Sequence, residues 1–475
     1  MTIKGHSKHD FGAALNKVLS PSQPISSVQH LHGRQRDLGI IEQALFADGR
    51  HVFVYGDRGV GKSSLAHTAA HQYQTSDGCP IIVDGSPDET FKTIVAGIAT
   101  KALDRSKTEK QTVRRSAGFT WHSLKLGMDF EVSPLEIVSQ IQSIGDAAEL
   151  LKQVAACHSE SPIVVLDEFD TISDANERNK FASLLKHLGD QSVNLKFIFT
   201  GVGSTVDSLL GAHQSAYRQL HTLDLPRLPW NARWKIVDDA AAYFDLSVDL
   251  EVKYRIGIVS DGFPYYVHLI TENMLWEAFN DDAVVSVISL SHYQAGIRAA
   301  IEGINVELRK PYDKAVSHRP PAFEDVVWCT ADGEELFREL GDLYGAYKII
   351  CEKRQDRPLL ERSRFTETLR KLKTPSYGAI LSSLEHRNGW YTYTEKMLRG
   401  YVRMQAEVNG VELTGERPIA PQRMHVSTNA RTGYRGPSIP RGVRTDKLIR
   451  RLDDEDESQE GGIRGGIADD PEGSS

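Results

Sequence analysis

The sequence predicts an α/β fold in which a parallel sheet covered by helices is followed by an all-helical region and a smaller mixed block. Three observations carry this. Between His51 and about Pro226, short apolar runs alternate with helix-length segments: HVFVYG (51–56), CPIIVDG (79–85), PIVVLDE (162–168), LKFIFTG (195–201) and HTLDLPRL (221–228). Runs of four or five apolar residues spaced in this way are buried parallel strands joined by crossover helices. Past Pro229 the strand pattern stops, and 231–245, 250–260, 264–279 and 291–310 show helical periodicity. Last, 335–353, 362–373 and 376–386 read as three helices ahead of the strand-like GWYTYT (389–394).

Taken in order, the elements divide the chain. Residues 1–30 are polar, with a Ser/Pro/Gln stretch at 20–27, and read as a flexible leader. The sheet domain covers 31–229. Within it GFTWHSLKLGMDFEV (118–132) partly alternates and suggests an inserted β-hairpin. A helical subdomain covers 230–312. Residues 313–405 follow the helix–helix–helix–wing order of a winged helix, a helix-turn-helix variant. From 406 to 475 the chain is rich in Gly, Arg and Pro, then acidic (DDEDE, 453–457), and has no packable core; it reads as a disordered tail.

A chain of 475 residues exceeds what one core organises. Its 40% hydrophobic and 25% charged residues, with a mean hydropathy of −0.36, belong to a folded soluble protein. No run of about 18 apolar residues is present, so no spanning helix and no membrane partner is expected, and the N-terminus lacks the apolar core of a secretory signal. The net charge of −8 argues against a chain coated in nucleic acid. The four cysteines, at 79, 157, 329 and 351, lie far apart and imply neither a disulfide framework nor a zinc site. A cytoplasmic location is expected.

The chemistry begins at Gly56-Asp57-Arg58-Gly59-Val60-Gly61-Lys62-Ser63, which matches G-x-x-x-x-G-K-[ST] directly after the run HVFVY and opens the helical SSLAHTAAHQY. That strand–loop–helix setting is what a phosphate-binding loop requires. Its glycines let backbone N–H groups converge on phosphates at a helix N-terminus, whose dipole favours anions. Lys62 is expected to reach the β- and γ-phosphates of ATP and Ser63 to ligate Mg²⁺, with Ser64 completing the loop. About a hundred residues on, PIVVLD ends at Asp167 and Glu168. Acids at the end of a parallel strand face the crevice that holds the loop. Asp167 is assigned to the Mg²⁺ shell and Glu168 to the general base. Asp170 reads as a solvated or capping residue.

Three further candidates are weaker signals. Thr200, and after it Ser204, follow the run FIFTGVGS, where a hydroxyl can sense the γ-phosphate; both also read as ordinary cap or turn residues. Arg218 precedes HTLDL and can stabilise γ-phosphate charge within the chain or across a subunit contact, against the reading of a surface arginine. Pro264, in GFPYYVHL (262–269), suits the first turn of a helix, with a lid contact that reports the nucleotide as the functional reading.

With these motifs in hand, the chain resembles the P-loop ATPases at the border of the AAA+ and STAND groups, closest to archaeal-type and origin-recognition-complex-like members. The resemblance rests on Gly33-Arg34-Gln35-Arg36, GDRGVGKS, VVLDEFD, FIFTGVGS, the Arg218 segment, GFPYYVHL and the block ending GWYTYTEKMLRGYVRMQAE, and it spans about 30–405. It implies a P-loop sheet domain, a helical lid and a winged helix, with ATP and Mg²⁺ as cofactors. The chain departs from it in two places. GRQRD stands where GRExE is usual, and GFPYYVHL lacks the lid arginine of origin-binding relatives, resembling instead a STAND-type Gly-x-Pro lid.

Two functions follow. One is an ATP-hydrolysing switch that docks a protein partner through its winged helix, with self-oligomerisation completing the site through Arg218. The other is an ATP-regulated DNA-binding protein of the replication-initiator or transposition-regulator type. Residues 335–403 hold 14 Lys/Arg against 9 Asp/Glu, which permits phosphate contact without demanding it. SYGAILSSLEH, the helix expected to read a groove, has no arginine or lysine, which favours protein docking. The tail at 415–451 carries nine Lys/Arg and two acids, and keeps DNA in view.

Overall fold

The computed structural model describes residues 3–21, 23–25, 27–74, 78–106, 119–121, 124–126, 133–203, 205–206, 218–354, 357–384 and 387–413. They belong to one compact unit, Met1–Pro418. A second unit, Ile419–Ser475, lies outside the described residues, and so does all of the expected tail beyond 413.

The apolar runs become β1 (His51–Tyr55) and β2 (Ile81–Asp84), then the antiparallel hairpin β3 (Phe119–Trp121) and β4 (Leu124–Leu126), then β5 (Ile163–Asp167), β6 (Lys196–Gly201) and β7 (Leu220–Asp224). Apart from the hairpin, they form one sheet in the order β2-β5-β6-β1-β7, every neighbouring pair parallel. Side chains along a strand alternate between faces, so the sheet feeds two cores. Val52, Val54, Ile163, Val165 and Ile198 pack beneath α2 (Gln35–Phe46) and α3 (Lys62–Tyr73), and the same core includes the apolar face of α1 (Lys8–Val18). Phe53, Val164, Leu166, Phe197 and Phe199 pack against α4 (Phe91–Ser106), α6 (Ile144–His158) and α7 (Ala175–Asp190), with α5 (Pro134–Gln140) between α4 and α6 in the chain.

The first core continues beyond the sheet. It runs into α8 (Trp230–Ala242), α9 (Leu250–Val259), α10 (Pro264–Asn280) and α11 (Leu290–Gly303), where the two-residue strands β8 (Ser247–Val248) and β9 (Val287–Ile288) pair in parallel. It then takes in α12 (Val306–Val316) and α13 (Ala322–Ala331). The boundary expected at 312–313 falls inside α12. Beyond it come β10 (Arg338–Glu339), α14 (Leu340–Lys353), α15 (Arg362–Lys371), β11 (Leu381–Ser383), β12 (Trp390–Tyr393) and α16 (Met397–Val408), with an antiparallel sheet in the order β10-β12-β11.

Three expectations are corrected. The leader is helical over 8–18: Ser7 caps α1, and Phe11 stacks on Phe279 at 4.4 Å between ring centroids and meets Trp276 edge-on. The helix expected at 376–386 is a single 3-10 turn, Pro375–Tyr377, followed by β11. Gly378 there has φ +80°, which turns the chain out of helix, and a Cβ on it would strike the Pro311 carbonyl. Order also persists past 405, because α16 runs to Val408 and Val411 and Leu413 are buried against the core.

Candidate nucleotide site

The C-terminal ends of β1, β5 and β6 meet at one crevice, the position at which parallel sheets hold ligands. The loop after β1 passes through Gly59 (φ +80°) and Gly61 (φ +96°), left-handed conformations that suit residues without Cβ, and Gly61 is the N-cap of α3. The Lys62 ammonium donates to the carbonyls of Gly56 and Asp57 at 3.1 and 2.9 Å. Burial lowers its pKa, against the pull of Asp170, Asp167, Asp57 and Glu168. Asp170 therefore acts on the lysine from the cavity wall rather than standing in solvent.

The loop and the acidic strand meet directly. The Ser63 hydroxyl donates to Asp167 Oδ1 at 3.0 Å, although the two residues are 104 positions apart. Thr200 donates to the same oxygen, and the Glu168 N–H is shared between Asp167 Oδ1 and Thr200 Oγ1, 3.0 Å from each. Thr200 is thus tied to the acidic pair. Glu168 sits in a left-handed conformation (φ +50°), unusual for a non-glycine residue, which turns the chain at the strand end while the residue lines the cavity. A hydroxyl and a carboxylate brought together this way are hard oxygen donors of the kind Mg²⁺ takes beside phosphate oxygens. Ser63 and Asp167 are the residues that would hold such an ion.

The cavity has a volume of about 580 Å³. Arg58, Lys62, Ser63, Glu168 and Thr200 line it together with Ser20–Pro21, Gln23–Ile25, Ser64, Tyr265 and His268. The Ser64 hydroxyl accepts the Ile25 N–H at 3.0 Å, tying α3 to the leader. Pro264 begins α10 and stands 3.7 Å from where a Cβ on Gly61 would sit, so lid and loop adjoin there.

Arg218 is elsewhere. It precedes β7, and His51 pairs with Leu220 while Tyr55 pairs with Asp224, so Arg218 stands exposed at the opposite end of the strands from the loop. Within one chain it does not reach the site; a contact across subunits is what remains of that expectation. Ser204 lies outside the described residues.

Several residues at the site were missed. The leader's Phe11, Ala14, Leu15 and Val18 follow helical spacing, a signal that its polar composition obscures. Arg34, of the GRQRD box, is buried and donates to the carbonyls of Val60 and Pro226 at 3.0 and 2.6 Å, bracing the loop from behind. His268 accepts the Ser20 N–H at 3.4 Å, and burial holds its pKa down to about 4. From the far end of the chain, Lys396 pairs with Asp57 at 2.6 Å, Glu395 and Met397 line the cavity, and a Cβ on Gly59 would collide with the Met397 thioether. No local pattern announces such a contact across 339 positions.

What holds α16 in place is a buried charge cluster. Asp261, in the turn before Pro264, receives Arg399 on both carboxylate oxygens (2.7 and 2.5 Å), Arg403 at 3.1 Å and Arg227 at 2.5 Å. Burial alone would raise this carboxyl, but Arg403, Arg399 and Arg227 hold it down to about 2. The sheet-to-lid linker, the lid turn and the last helix therefore share one anion.

Among solved structures, the chain is similar to a Walker-type ATPase of Pyrococcus abyssi (14% identity, 80% of this chain and 99% of that one, TM-score 0.48). It is also similar to the ORC2 protein of Aeropyrum pernix (13%, 83% and 98%, 0.46) and to Cdc6p of Pyrobaculum aerophilum (15%, 83% and 98%, 0.42). The strand order and register establish the α/β fold independently of these likenesses. No curated protein matches the sequence. Residues 30–198, the stretch that carries the phosphate loop and the acidic strand end, match the family model of the AAA ATPase domain.

Proposed function

We propose that this protein binds ATP with Mg²⁺ at the crevice and hydrolyses it to ADP and phosphate. The observation that carries the reading is the Ser63–Asp167 hydrogen bond, which joins the phosphate loop to the acidic strand end. In this reading the loop N–H groups and Lys62 hold the phosphates, while Ser63 and Asp167 hold the ion, which neutralises charge on the phosphates. Glu168 takes the proton of the attacking water, and Thr200, held on Asp167, orients toward the γ-phosphate. Calorimetry tests the binding step: Lys62→Ala should abolish ATP binding or nearly so, and unchanged affinity would defeat the reading.

The contact of α16 with the loop supports a switch rather than a constitutive hydrolase. Lys396 and Met397 rest on Asp57 and Gly59, so changes in the loop are felt by the C-terminal block. We read that block as a winged helix, since α13, β10, α14, α15, β11 and β12 succeed one another with the β12 strand central. In the switch it moves as a body to dock a partner, in the manner of a STAND-type protein. Hydrogen exchange at 395–398 that is the same with and without ATP would count against this.

One observation favours the DNA reading over the protein partner. The helix in the reading position is α15, not 376–386, and its exposed residues include Arg362, Arg364 and Arg370, with Lys373 just beyond. The lack of basic residues that pointed to protein docking belongs to a segment that is not a helix. Duplex DNA retardation with a steep salt dependence would decide for this second reading.

A further inference from the structure

Ser63 and His67 are four residues apart on α3, so their side chains share one face of the helix. His67 Nε2 lies 3.6 Å from Asp167 Oδ2, is buried, and has no hydrogen-bond partner among the described residues. Every donor the described residues offer Asp167 goes to Oδ1: the Ser63 and Thr200 hydroxyls and the Glu168 N–H. One oxygen of the carboxylate is thus held three times, and the other faces an imidazole. Asp84, the register partner of Asp167 on β2, is the second acid near the ring.

A buried polar atom left unmatched is destabilising, and an aliphatic side chain at this position would avoid that cost. The placement of the nitrogen opposite Oδ2 gives it a use. We propose that His67 is a positioning residue for the magnesium site, its Nε2–H steering Asp167 Oδ2 so that Oδ1 stays turned to Ser63. The imidazole does not ligate the ion. It acts on the rotamer of the carboxylate that does, as outer partners of metal-binding carboxylates commonly do. Ring and hydroxyl ride on one helix, so the spacing between the two controls on Asp167 is set by α3 alone. The inference rests on the assignment of Ser63 and Asp167 to Mg²⁺.

The test titrates the full-length protein with a non-hydrolysable ATP analogue, in magnesium and in EDTA. Removing an outer partner of a metal ligand typically costs about 10–100-fold in metal affinity. His67→Leu should therefore lose about 10-fold or more of the affinity that magnesium adds, with affinity in EDTA unchanged. His67→Gln, which keeps an N–H donor, should recover most of it. A magnesium gain in His67→Leu equal to that of the wild type overturns the proposal and leaves the nucleotide reading standing. Equal losses in both buffers make His67 a packing residue and overturn it too. A wild type that binds the analogue with no magnesium gain also overturns it, and one that binds no analogue in either buffer defeats the nucleotide reading itself.

Discussion

The phosphate-loop end of the sheet and the seam around Asp261 are both polar, partly buried and close to one another, yet they are built in opposite ways. The loop end draws its groups from a continuous octapeptide, Gly56–Ser63, and one strand end, Asp167–Glu168. The seam gathers single residues at 227, 399 and 403 onto the carboxylate of Asp261. At the loop end the donors that converge on Asp167 are neutral, two hydroxyls and a backbone N–H, while Lys62 donates to backbone carbonyls. The seam places three guanidinium groups on one buried anion, which only the packed lid and last helix bring together. Chemistry at one end is therefore local, and the coupling of that chemistry to the rest of the chain is not.

The largest way to break this contrast is at the anion. Asp261→Ala leaves Arg399 and Arg403 buried without a counter-charge, and removing one partner of a buried ion pair costs about 3–5 kcal/mol. Denaturant unfolding should show a loss of that size or more; a loss under about 1 kcal/mol would mean the seam does not hold the domains.

Acid should separate the two regions. His268, on the lid beside Ser20, has a pKa held down to about 4 against about 6.5 in the unfolded chain. The unfolded state therefore binds the extra proton first. This contribution is full above about pH 6.5 and is lost as pH falls toward 4, amounting to about 3 kcal/mol. His51, held to about 3 by burial, adds to the same slope. Asp261 behaves differently, since its carboxyl near 2 keeps its share of stability until pH drops below about 4. Stability measured from pH 7 to 4 should fall, and His268→Gln should flatten part of the fall. A wild-type stability flat across that range would contradict the burial of both rings.

The loop end is tested without touching stability by Glu168→Gln, which should retain ATP but reduce turnover by about 10²-fold or more. Wild-type turnover in this variant would move the base to Asp170, which also lines the cavity. The smallest effect belongs to Lys396→Ala, which joins the two regions through a half-exposed ion pair worth about 1 kcal/mol or less. It should change ATP affinity by a few-fold and the change should shrink in high salt; no change at any ionic strength would reduce this contact to packing.

Four of the five main strands fall within their apolar runs and β7 starts one residue before its own, because burial on both faces demands such runs and the crossover helices need the spacing between them. The octapeptide and the acid pair were legible for a related reason: phosphate chemistry requires those residue types at that spacing, whatever packs around them. The helix misplaced at 376–386 shows the limit, since ILSSL is equally a short helix or a strand until Gly378 and the pairing of Leu381 with Tyr393 choose the strand. Helix α1 is amphipathic on its own, but its apolar face has something to bury against only once Phe244, and Trp276 and Phe279 on α10, are packed beside it.

By itself, then, the order of residues determined the sheet, the phosphate loop and the acids at its rim, all features specified within one strand–turn–helix unit. The tertiary structure alone decided that a leader and a lid histidine wall the cavity, and that Arg218 stands at the far end of the strands. It also decided that Lys396 and Met397 reach the loop from the end of the fold. Those are contacts between surfaces, and a surface exists only once each element has a partner to pack against; no periodicity within either partner records the match.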